Sequence, residues 1–159
     1  SLLVIHNISL PAGCFGLPYI DQLFQGCLDT NVDSSFAPLQ GLQVSAHFLI
    51  RRNGERVQYV SCNDRAWHAG VSRYGERENC NDFSIGIELE GTDTEPYTPE
   101  QYQSLIELTQ ALLVEYPLLS IERIVGHCDI APMRKTDPGQ SFDWTRYLET
   151  LRDSRISQG

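Results

Sequence analysis

Residues 84–90 read SIGIELE, and this stretch is the most informative one about the fold. Successive side chains of a β-strand point to opposite faces, so the three aliphatic residues of the stretch share one face. Glu88 and Glu90 share the other face. The pattern therefore predicts a strand that packs one face against a helix and presents two carboxylates on the opposite face, either to solvent or to a functional site.

The segments on both sides of this strand alternate between strand-like and helix-like patterns, with no internal repeat or linker. Such alternation predicts a single α/β domain over residues 1–159, with a central mixed β-sheet flanked by helices. Further strands are predicted at 2–6, 44–51, 57–60 and 124–127, helices at 17–25, 98–116 and 141–152, and irregular segments at 31–41, 61–81 and 128–140.

Two local signals support this outline. The dipeptide Asn53-Gly54 between two strand patterns supplies the positive φ angles of a tight hairpin. Thr98, Pro99 and Gln101 form a helix start, because Thr caps the first turn, Pro suits its first position, and Gln three residues on completes a capping box. These signals predict a hairpin near residue 53 and a long helix from residue 98.

Composition restricts the function classes. The chain of 159 residues is 41% hydrophobic and 21% charged, which is typical of a soluble globular domain. Its formal net charge of -9 argues against a nucleic-acid or anionic-membrane partner, because like charges repel. No apolar run is long enough to span a bilayer. We expect a monomer, and the charge by itself does not identify its partner.

The five cysteines are odd in number and include no CxxC pair, which favours free thiols in a reducing cytosol over a disulfide scaffold. The first residues, SLLVIHNISL, show no signal-peptide pattern, although residues removed before Ser1 would leave the same start. We therefore expect a cytoplasmic protein. The cysteines are Cys14, Cys27, Cys62, Cys80 and Cys128.

Three residues form a candidate metal site. His6 and His127 each end a strand-like run, where α/β sheets usually build their sites. Asp137 follows ten residues after His127, immediately before a proline that stiffens its backbone. Two imidazoles and a carboxylate suit a catalytic zinc ion, and the same set also holds non-haem iron. A buried histidine satisfied by ordinary hydrogen bonds is the competing interpretation of each position.

Two charged groups could complete a catalytic site. Lys135 is the single lysine of the chain and stands two residues before Asp137, so an extended segment would place both side chains on one face. Its ammonium could stabilise an oxyanion, or it could be a solvated surface group. A carboxylate of the 84–90 strand could act as the base, but Glu88 and Glu90 have the same parity and the pattern does not choose between them.

The remaining histidines and one cysteine have more ordinary interpretations. His47 lies inside a strand pattern and is expected to be a core residue. His68 lies in an irregular segment beside Trp67 and either contacts the substrate or makes a structural hydrogen bond. Cys128 follows His127 directly and is expected to point away from the site.

Six blocks of this sequence resemble the type-2 N-acetylmuramoyl-L-alanine amidases, and in particular those that act on 1,6-anhydro-muramyl peptides in cell-wall recycling. The resemblance runs from Ser1 to about Leu148. The blocks are LLVIHNISLP (2–11), VSAHFLIRRNGE (44–55), RAWHAGVS (65–72), CNDFSIGIELEGTD (80–93), GHCDIAPMRKTDPG (126–139) and SFDW (141–144).

The resemblance implies roles for individual residues. It implies a zinc ion in a groove at one edge of the sheet, in the fold that peptidoglycan recognition proteins share, held by His6, His127 and Asp137. It implies Glu88 as the acid and base, and Lys135 as the cation that stabilises the oxyanion. Asn7 and Trp67 fall at positions that line the sugar-peptide groove, and we group His68 with them as a substrate-contact candidate.

The reaction implied is zinc-dependent hydrolysis of the amide bond between the lactyl group of (1,6-anhydro-)N-acetylmuramic acid and L-alanine of the stem peptide. The alternatives are a periplasmic or lipid-anchored amidase acting on intact peptidoglycan and a non-catalytic muropeptide-binding module. Three positions depart from the family pattern: Ser35 replaces an expected tyrosine, and Gln43 and Asn79 replace expected basic residues. These changes are expected to affect binding of the peptide stem more than catalysis.

Overall fold

The computed structural model describes residues 1–156 as a five-stranded mixed sheet with helices on one side and a loop-rich layer on the other. This arrangement confirms the predicted α/β architecture. The strands are β1 (Leu2–Ile8), β2 (Phe48–Ile50), β3 (Arg56–Gln58), β4 (Arg73–Tyr74), β5 (Arg77–Glu78), β6 (Ser84–Glu90) and β7 (Ile124–Gly126), and the helices are α1 (Tyr19–Phe24), α2 (Pro99–Glu115), α3 (His127–Ile130) and α4 (Trp144–Ile156).

The main sheet has the strand order β3-β2-β6-β1-β7, and β4 and β5 form a separate hairpin. Strand β1 pairs in parallel with both β6 and β7, and β2 pairs in parallel with β6, whereas β3 is antiparallel to β2. The register places His6 beside Glu88. The carboxyl ends of β1, β6 and β7 therefore meet at one edge of the sheet, which is where α/β sheets carry their sites.

The first face of the sheet packs against α2 and α4. The aliphatic residues of β6 are buried there with Leu3 and Ile5 of β1 and with Leu105 and Leu112 of α2. Helix α2 begins as predicted: the Thr98 hydroxyl accepts from the Gln101 amide, and the Gln101 side chain accepts from the Thr98 amide. This helix-covered face is the hydrophobic core.

The second face, formed by Leu2 and Val4 of β1, is covered by the segment that contains Ala69, by Cys80 and by Ile130 of α3. The segment was predicted to be irregular, and it contains the short β4–β5 hairpin. His6 continues the parity of Leu2 and Val4 and so emerges on this second face. Burial by a loop layer rather than by a helix leaves room for a cavity at the strand ends.

Several predicted boundaries were wrong. Strand β1 continues to Ile8, so His6 lies inside it rather than at its end, because β6 pairs with it over the full length. Strand β7 stops at Gly126, and His127 begins α3, so the first turn after the strand is helical and not irregular. Helix α4 begins three residues later than predicted and extends to Ile156.

Two turns also differ from expectation. Residues Ser34–Leu39 form a 3-10 helix capped by Asp33, where a loop was predicted. In the β2–β3 connection only Gly54 has a positive φ, and Asn53 instead accepts a hydrogen bond from the Glu55 amide. One left-handed residue is sufficient because five residues connect the strands, which makes this a longer hairpin than the two-residue type.

All five cysteines are unpaired. None of the described helices is long and apolar enough to cross a membrane.

Candidate metal centre and active site

Three side chains converge at the edge of the sheet where the carboxyl-terminal halves of β1 and β7 meet. The Nδ1 atoms of His6 and His127 lie 3.0 Å apart. Asp137 Oδ2 lies 3.3 Å from His6 Nδ1 and 3.2 Å from His127 Nδ1. The Asn7 backbone amide, 3.4 Å away, donates to the same carboxylate oxygen. The residues selected from the sequence as metal ligands are thus brought together, and among residues 1–156 they form the group suited to a metal ion.

The outer nitrogen of each imidazole already has a partner. His127 Nε2 lies 3.0 Å from the Ala69 carbonyl oxygen, which can only accept a hydrogen bond, so the proton of His127 is on Nε2. His6 Nε2 lies 2.9 Å from Nδ1 of His68. Burial lowers the pKa of His6 to about 4, and burial also lowers the pKa of His68 well below its ordinary value. The rings of His6 and His68 are therefore neutral at neutral pH.

The donor set fits a divalent metal ion. His127 Nδ1 faces His6 Nδ1 and the Asp137 carboxylate at 3.0–3.2 Å, and a metal cation between these atoms would interact with all three at once. A tetrahedral zinc ion with ligand bonds of about 2.0–2.1 Å separates its ligand atoms by about 3.3 Å, close to the separations found here. His6, His127 and Asp137 are therefore the residues that would hold zinc.

Glu88 stands beside this group with one carboxylate oxygen that has no hydrogen-bond partner among the described residues. Its side chain is buried, its Oε1 lies 3.9 Å from His6 Nδ1, and Oε2 is unsatisfied within the described residues. Burial raises the pKa of Glu88 well above its usual range; the Asp137 carboxylate adds to this, and the Lys135 ammonium opposes it. A buried carboxylate with a raised pKa and a free oxygen is suited to accepting and returning a proton.

Glu90 has the same strand parity but a different environment. Its Oε2 accepts from the Gly16 amide at 2.9 Å, its Oε1 accepts from the Arg52 amide at 3.2 Å, and Arg51 lies 3.9 Å away. Its oxygens are thus used to hold the chain around the β2–β3 connection. These neighbours distinguish the two carboxylates, because the oxygens of Glu90 are occupied whereas Oε2 of Glu88 has no hydrogen-bond partner among the described residues.

A cavity of about 760 Å³ opens above the metal-ligand group. Lys135 lines it together with Glu88 and Asp137, and the Lys135 amide donates to the Ala131 carbonyl in the turn that precedes this segment. Trp67 lines the same cavity with 56% of its surface exposed, and the Arg65 guanidinium lies 4.2 Å from its ring centre. An exposed, braced indole of this kind is a suitable surface for a sugar ring.

Asn7 also borders the cavity, but its amide is already engaged. Its Nδ2 has two hydrogens and three acceptors within reach: Asp93 Oδ1 at 2.8 Å, the Tyr97 hydroxyl at 3.0 Å and the Pro138 carbonyl at 3.2 Å. Because these bonds occupy its donors, Asn7 fixes the loop that carries Asp137. Its suggested contact with substrate stays a prediction.

The other two histidines make hydrogen bonds within the protein, and the suggested contact of His68 with substrate stays a prediction. His47 is fully buried and bridges the Gly86 amide and the Asp64 carbonyl, as expected of a core residue. His68 lines the cavity, yet both its ring nitrogens are within hydrogen-bond distance of protein atoms. Cys128 is half-buried and lies outside the three-residue metal group.

The positions that depart from the family pattern do not border the 760 Å³ cavity. Ser35 is exposed and donates to Asp33 within the 3-10 helix. Gln43 lines a neighbouring depression, and Asn79 takes a left-handed conformation at the end of β5. Sequence reasoning missed Asn81 and Ser84, whose bonds to the 68–69 segment cross between distant parts of the chain.

Residues 1–140 match the N-acetylmuramoyl-L-alanine amidase family. The chain belongs to this family. It is 63% identical over 154 residues to the 1,6-anhydro-N-acetylmuramyl-L-alanine amidase AmpD of Citrobacter freundii, an alignment that covers 97% of this chain and 82% of AmpD.

Solved structures agree with this assignment. A crystal structure of a selenomethionine derivative of AmpD superposes on this amidase with a TM-score of 0.92 and 62% identity, covering 95% of this chain and 83% of that one. The amidase AmiD from E. coli, solved in complex with the substrate anhydro-N-acetylmuramic acid-L-Ala-D-gamma-Glu-L-Lys, gives a TM-score of 0.69 and 34% identity over 96% of this chain and 57% of AmiD. The fold and the enzyme class predicted from the sequence are confirmed.

Proposed function

We propose that this amidase uses zinc to hydrolyse the bond between the lactyl group of 1,6-anhydro-N-acetylmuramic acid and L-alanine of the stem peptide, in peptidoglycan recycling. The observation that carries the proposal is the convergence of two imidazole nitrogens and a carboxylate beside the unsatisfied, buried Glu88. The donor set alone also suits iron, but the family and the adjacent base favour metal-assisted hydrolysis.

The substrate assignment is supported by the relatives. AmpD, at 63% identity, is named for its action on the 1,6-anhydro sugar. AmiD was solved with an anhydromuramyl tripeptide as substrate. The cavity here combines an exposed indole with a catalytic group at its base, as a glycopeptide substrate requires: Trp67 offers an apolar face for the sugar, and Glu88 lies next to the metal ligands.

Zinc bound by His6, His127 and Asp137 would polarise the scissile carbonyl and lower the pKa of the attacking water. Glu88 takes the proton of that water and delivers it to the nitrogen of L-alanine as the amide bond breaks. The raised pKa of Glu88 suits this double use, because burial makes its carboxylate a stronger base than an exposed one and so a better acceptor of the water proton.

Lys135 supplies positive charge to the oxyanion that forms on the lactyl carbonyl. Its ammonium is close enough to Glu88 and His6 to influence the pKa of both. A fixed cation in a partly buried cavity acts more strongly than in water, since less solvent screens it. Lys135 therefore lowers the barrier without taking part in proton transfer.

We also propose that the enzyme works in the cytoplasm as a monomer and without a membrane partner. Unpaired cysteines are typical of proteins in a reducing cytosol. The net charge of -9 opposes binding to an anionic membrane. An amidase acting outside the cytoplasm on intact wall is the second candidate, since the name of the family, N-acetylmuramoyl-L-alanine amidase, does not specify a 1,6-anhydro sugar.

The test compares two substrates and two metal states. Purified enzyme is incubated with anhydromuramyl-tripeptide or with whole sacculi, and released peptide is quantified by chromatography. We expect rapid cleavage of the soluble fragment, little release from sacculi, loss of activity after chelation, and recovery on adding zinc. Preferential release from sacculi would favour the second candidate, and activity unaffected by chelation would refute the role of the metal.

A further inference from the structure

A chain of hydrogen bonds leads away from the metal-ligand group through His68. His6 Nε2 lies 2.9 Å from His68 Nδ1, and His68 Nε2 lies 3.1 Å from the Ser84 hydroxyl. The Ser84 hydroxyl lies 2.6 Å from the Cys80 carbonyl oxygen. Four groups from three separate parts of the sequence are thus linked in a row, which ends on an atom that can only accept.

The direction of each bond follows from that last acceptor. The Ser84 hydroxyl has one proton, and it donates that proton to the Cys80 carbonyl, so Ser84 accepts from His68 Nε2. A neutral imidazole carries one proton, so Nδ1 of His68 is an acceptor, and His6 must donate from its Nε2. His6 Nδ1 then has a free electron pair, and it is this atom that faces His127 and Asp137.

The residue after His68 acts in the same way on the second histidine. The Ala69 carbonyl accepts from His127 Nε2 at 3.0 Å and leaves His127 Nδ1 free for the metal. The Arg134 guanidinium donates to the same carbonyl at 2.6 Å and to the Val71 carbonyl at 2.9 Å. Two consecutive residues therefore orient both imidazoles.

The 68–69 segment is itself held in place. The Asn81 side-chain oxygen accepts from the amides of both His68 and Ala69, at 3.1 and 2.8 Å. The His68 ring lies directly against Gly86, where an added Cβ would come within 2.5 Å of His68 Cγ. The glycine of β6 thus provides the space for the ring, and Asn81 fixes the backbone beneath it.

We propose that His68 and Ser84 are positioning residues of the metal centre, and that with the Ala69 carbonyl they hold both histidines as Nε2–H tautomers. This assignment rests on the proposed zinc chemistry and deepens it. It replaces the expected substrate contact of His68 with a role through His6. Such outer partners fix ring orientation and raise ligand basicity, and their loss typically weakens metal binding 10- to 100-fold.

The experiment measures zinc affinity by competition with a chromogenic chelator, alongside thermal unfolding of the metal-free proteins. H68F removes both ring nitrogens and keeps a flat ring, and we expect roughly 10- to 100-fold weaker zinc binding. H68Q offers an amide oxygen to His6 Nε2 and should recover part of that loss. S84A should weaken binding in the wild-type background but not in H68F, since Ser84 acts through His68.

Ser72 provides a matched control. Its buried hydroxyl also forms a hydrogen bond with Cys80, accepting from the Cys80 backbone amide at 3.1 Å, but it forms none with His68. S72A should lower the unfolding temperature and leave zinc affinity unchanged. If H68F binds zinc as tightly as the wild type, or if S84A and H68F weaken binding additively, the proposal is overturned.

Failure of the proposed function and failure of the positioning role give different results. A wild-type protein that binds no zinc would refute the proposed function, whereas zinc binding and turnover that survive in H68F would refute only the positioning role. If H68F fails to fold, nitrogen-15 NMR of the zinc-loaded wild type tests the assignment directly. A proton on His6 Nε2 supports it, and a proton on His6 Nδ1 overturns it.

Discussion

Glu88 and Glu90 lie two residues apart on the same face of β6, and replacing each with glutamine should change stability in opposite directions. Glu88 is buried without a hydrogen-bond partner for Oε2, so ionising it costs free energy in the folded state. Glu90 is equally buried but accepts from two backbone amides. E88Q should therefore stabilise the metal-free protein at neutral pH, and E90Q should destabilise it.

The magnitude for Glu88 follows from proton linkage. Its folded-state pKa is raised above the ordinary 4.5, so its contribution to stability is full below pH 4.5 and is lost as the pH rises. The free energy of unfolding of E88Q minus that of wild type should grow with pH by up to about 1.4 kcal/mol per unit, until the folded-state pKa is passed. E90Q loses one bond to a charged acceptor, worth about 1.5–3 kcal/mol.

The assay is urea unfolding of the metal-free proteins at several pH values, paired with turnover of anhydromuramyl-tripeptide by the zinc-loaded forms. E88Q should lose roughly 10²- to 10⁴-fold in turnover, because the proton acceptor is gone, while zinc binding is retained. The exchange of activity for stability is typical of a catalytic group held in an unfavourable environment. An E88Q protein that is less stable than wild type at neutral pH, or that turns over normally, would refute the reasoning.

Two further predictions concern charge at the site. K135A should lower kcat by roughly 10²- to 10³-fold through loss of the oxyanion partner, which steady-state kinetics would show, and an unchanged kcat would make Lys135 a surface group. In metal-free E88Q the depressed pKa of His6, about 4 against 6.5, means that the unfolded chain binds a proton which the folded chain does not. The free energy of unfolding should therefore fall as the pH drops from 6.5 toward 4, by about 3 kcal/mol from His6 alone. His68 acts in the same direction. Unfolding curves that do not shift over this pH range would contradict the burial argument.

The local elements were predictable because their causes are local. The start of α2 depends on Thr98 and Gln101, which are neighbours in sequence and bond each other in the structure. The alternation of apolar and polar residues predicted β6 correctly, because one face of this strand packs against α2 and must be apolar. The 3-10 helix at Ser34–Leu39 was missed because its single inward side chain, Phe36, gives no periodic signal.

The ligand set was also indicated in advance, by residue types and by the family resemblance, although the strand ends that suggested it were misplaced. His6 is interior to β1. Strand β1 lies between β6 and β7, so His6 comes to lie beside Glu88 of β6 and near the end of β7. The site thus forms through pairing between strands more than eighty residues apart along the chain.

What the sequence determined by itself was the architecture, the donor types and the presence of two candidate bases, since each depends on residue identity and short-range spacing. The tertiary structure decided what each polar group bonds to. It assigned partners to Glu90 and left Glu88 Oε2 without one, turned the amide of Asn7 toward the Asp137 loop, and linked His68 to His6. A hydrogen bond depends on distance and direction between atoms that only folding brings together, and for that reason the chemistry of this site is a property of the assembled fold.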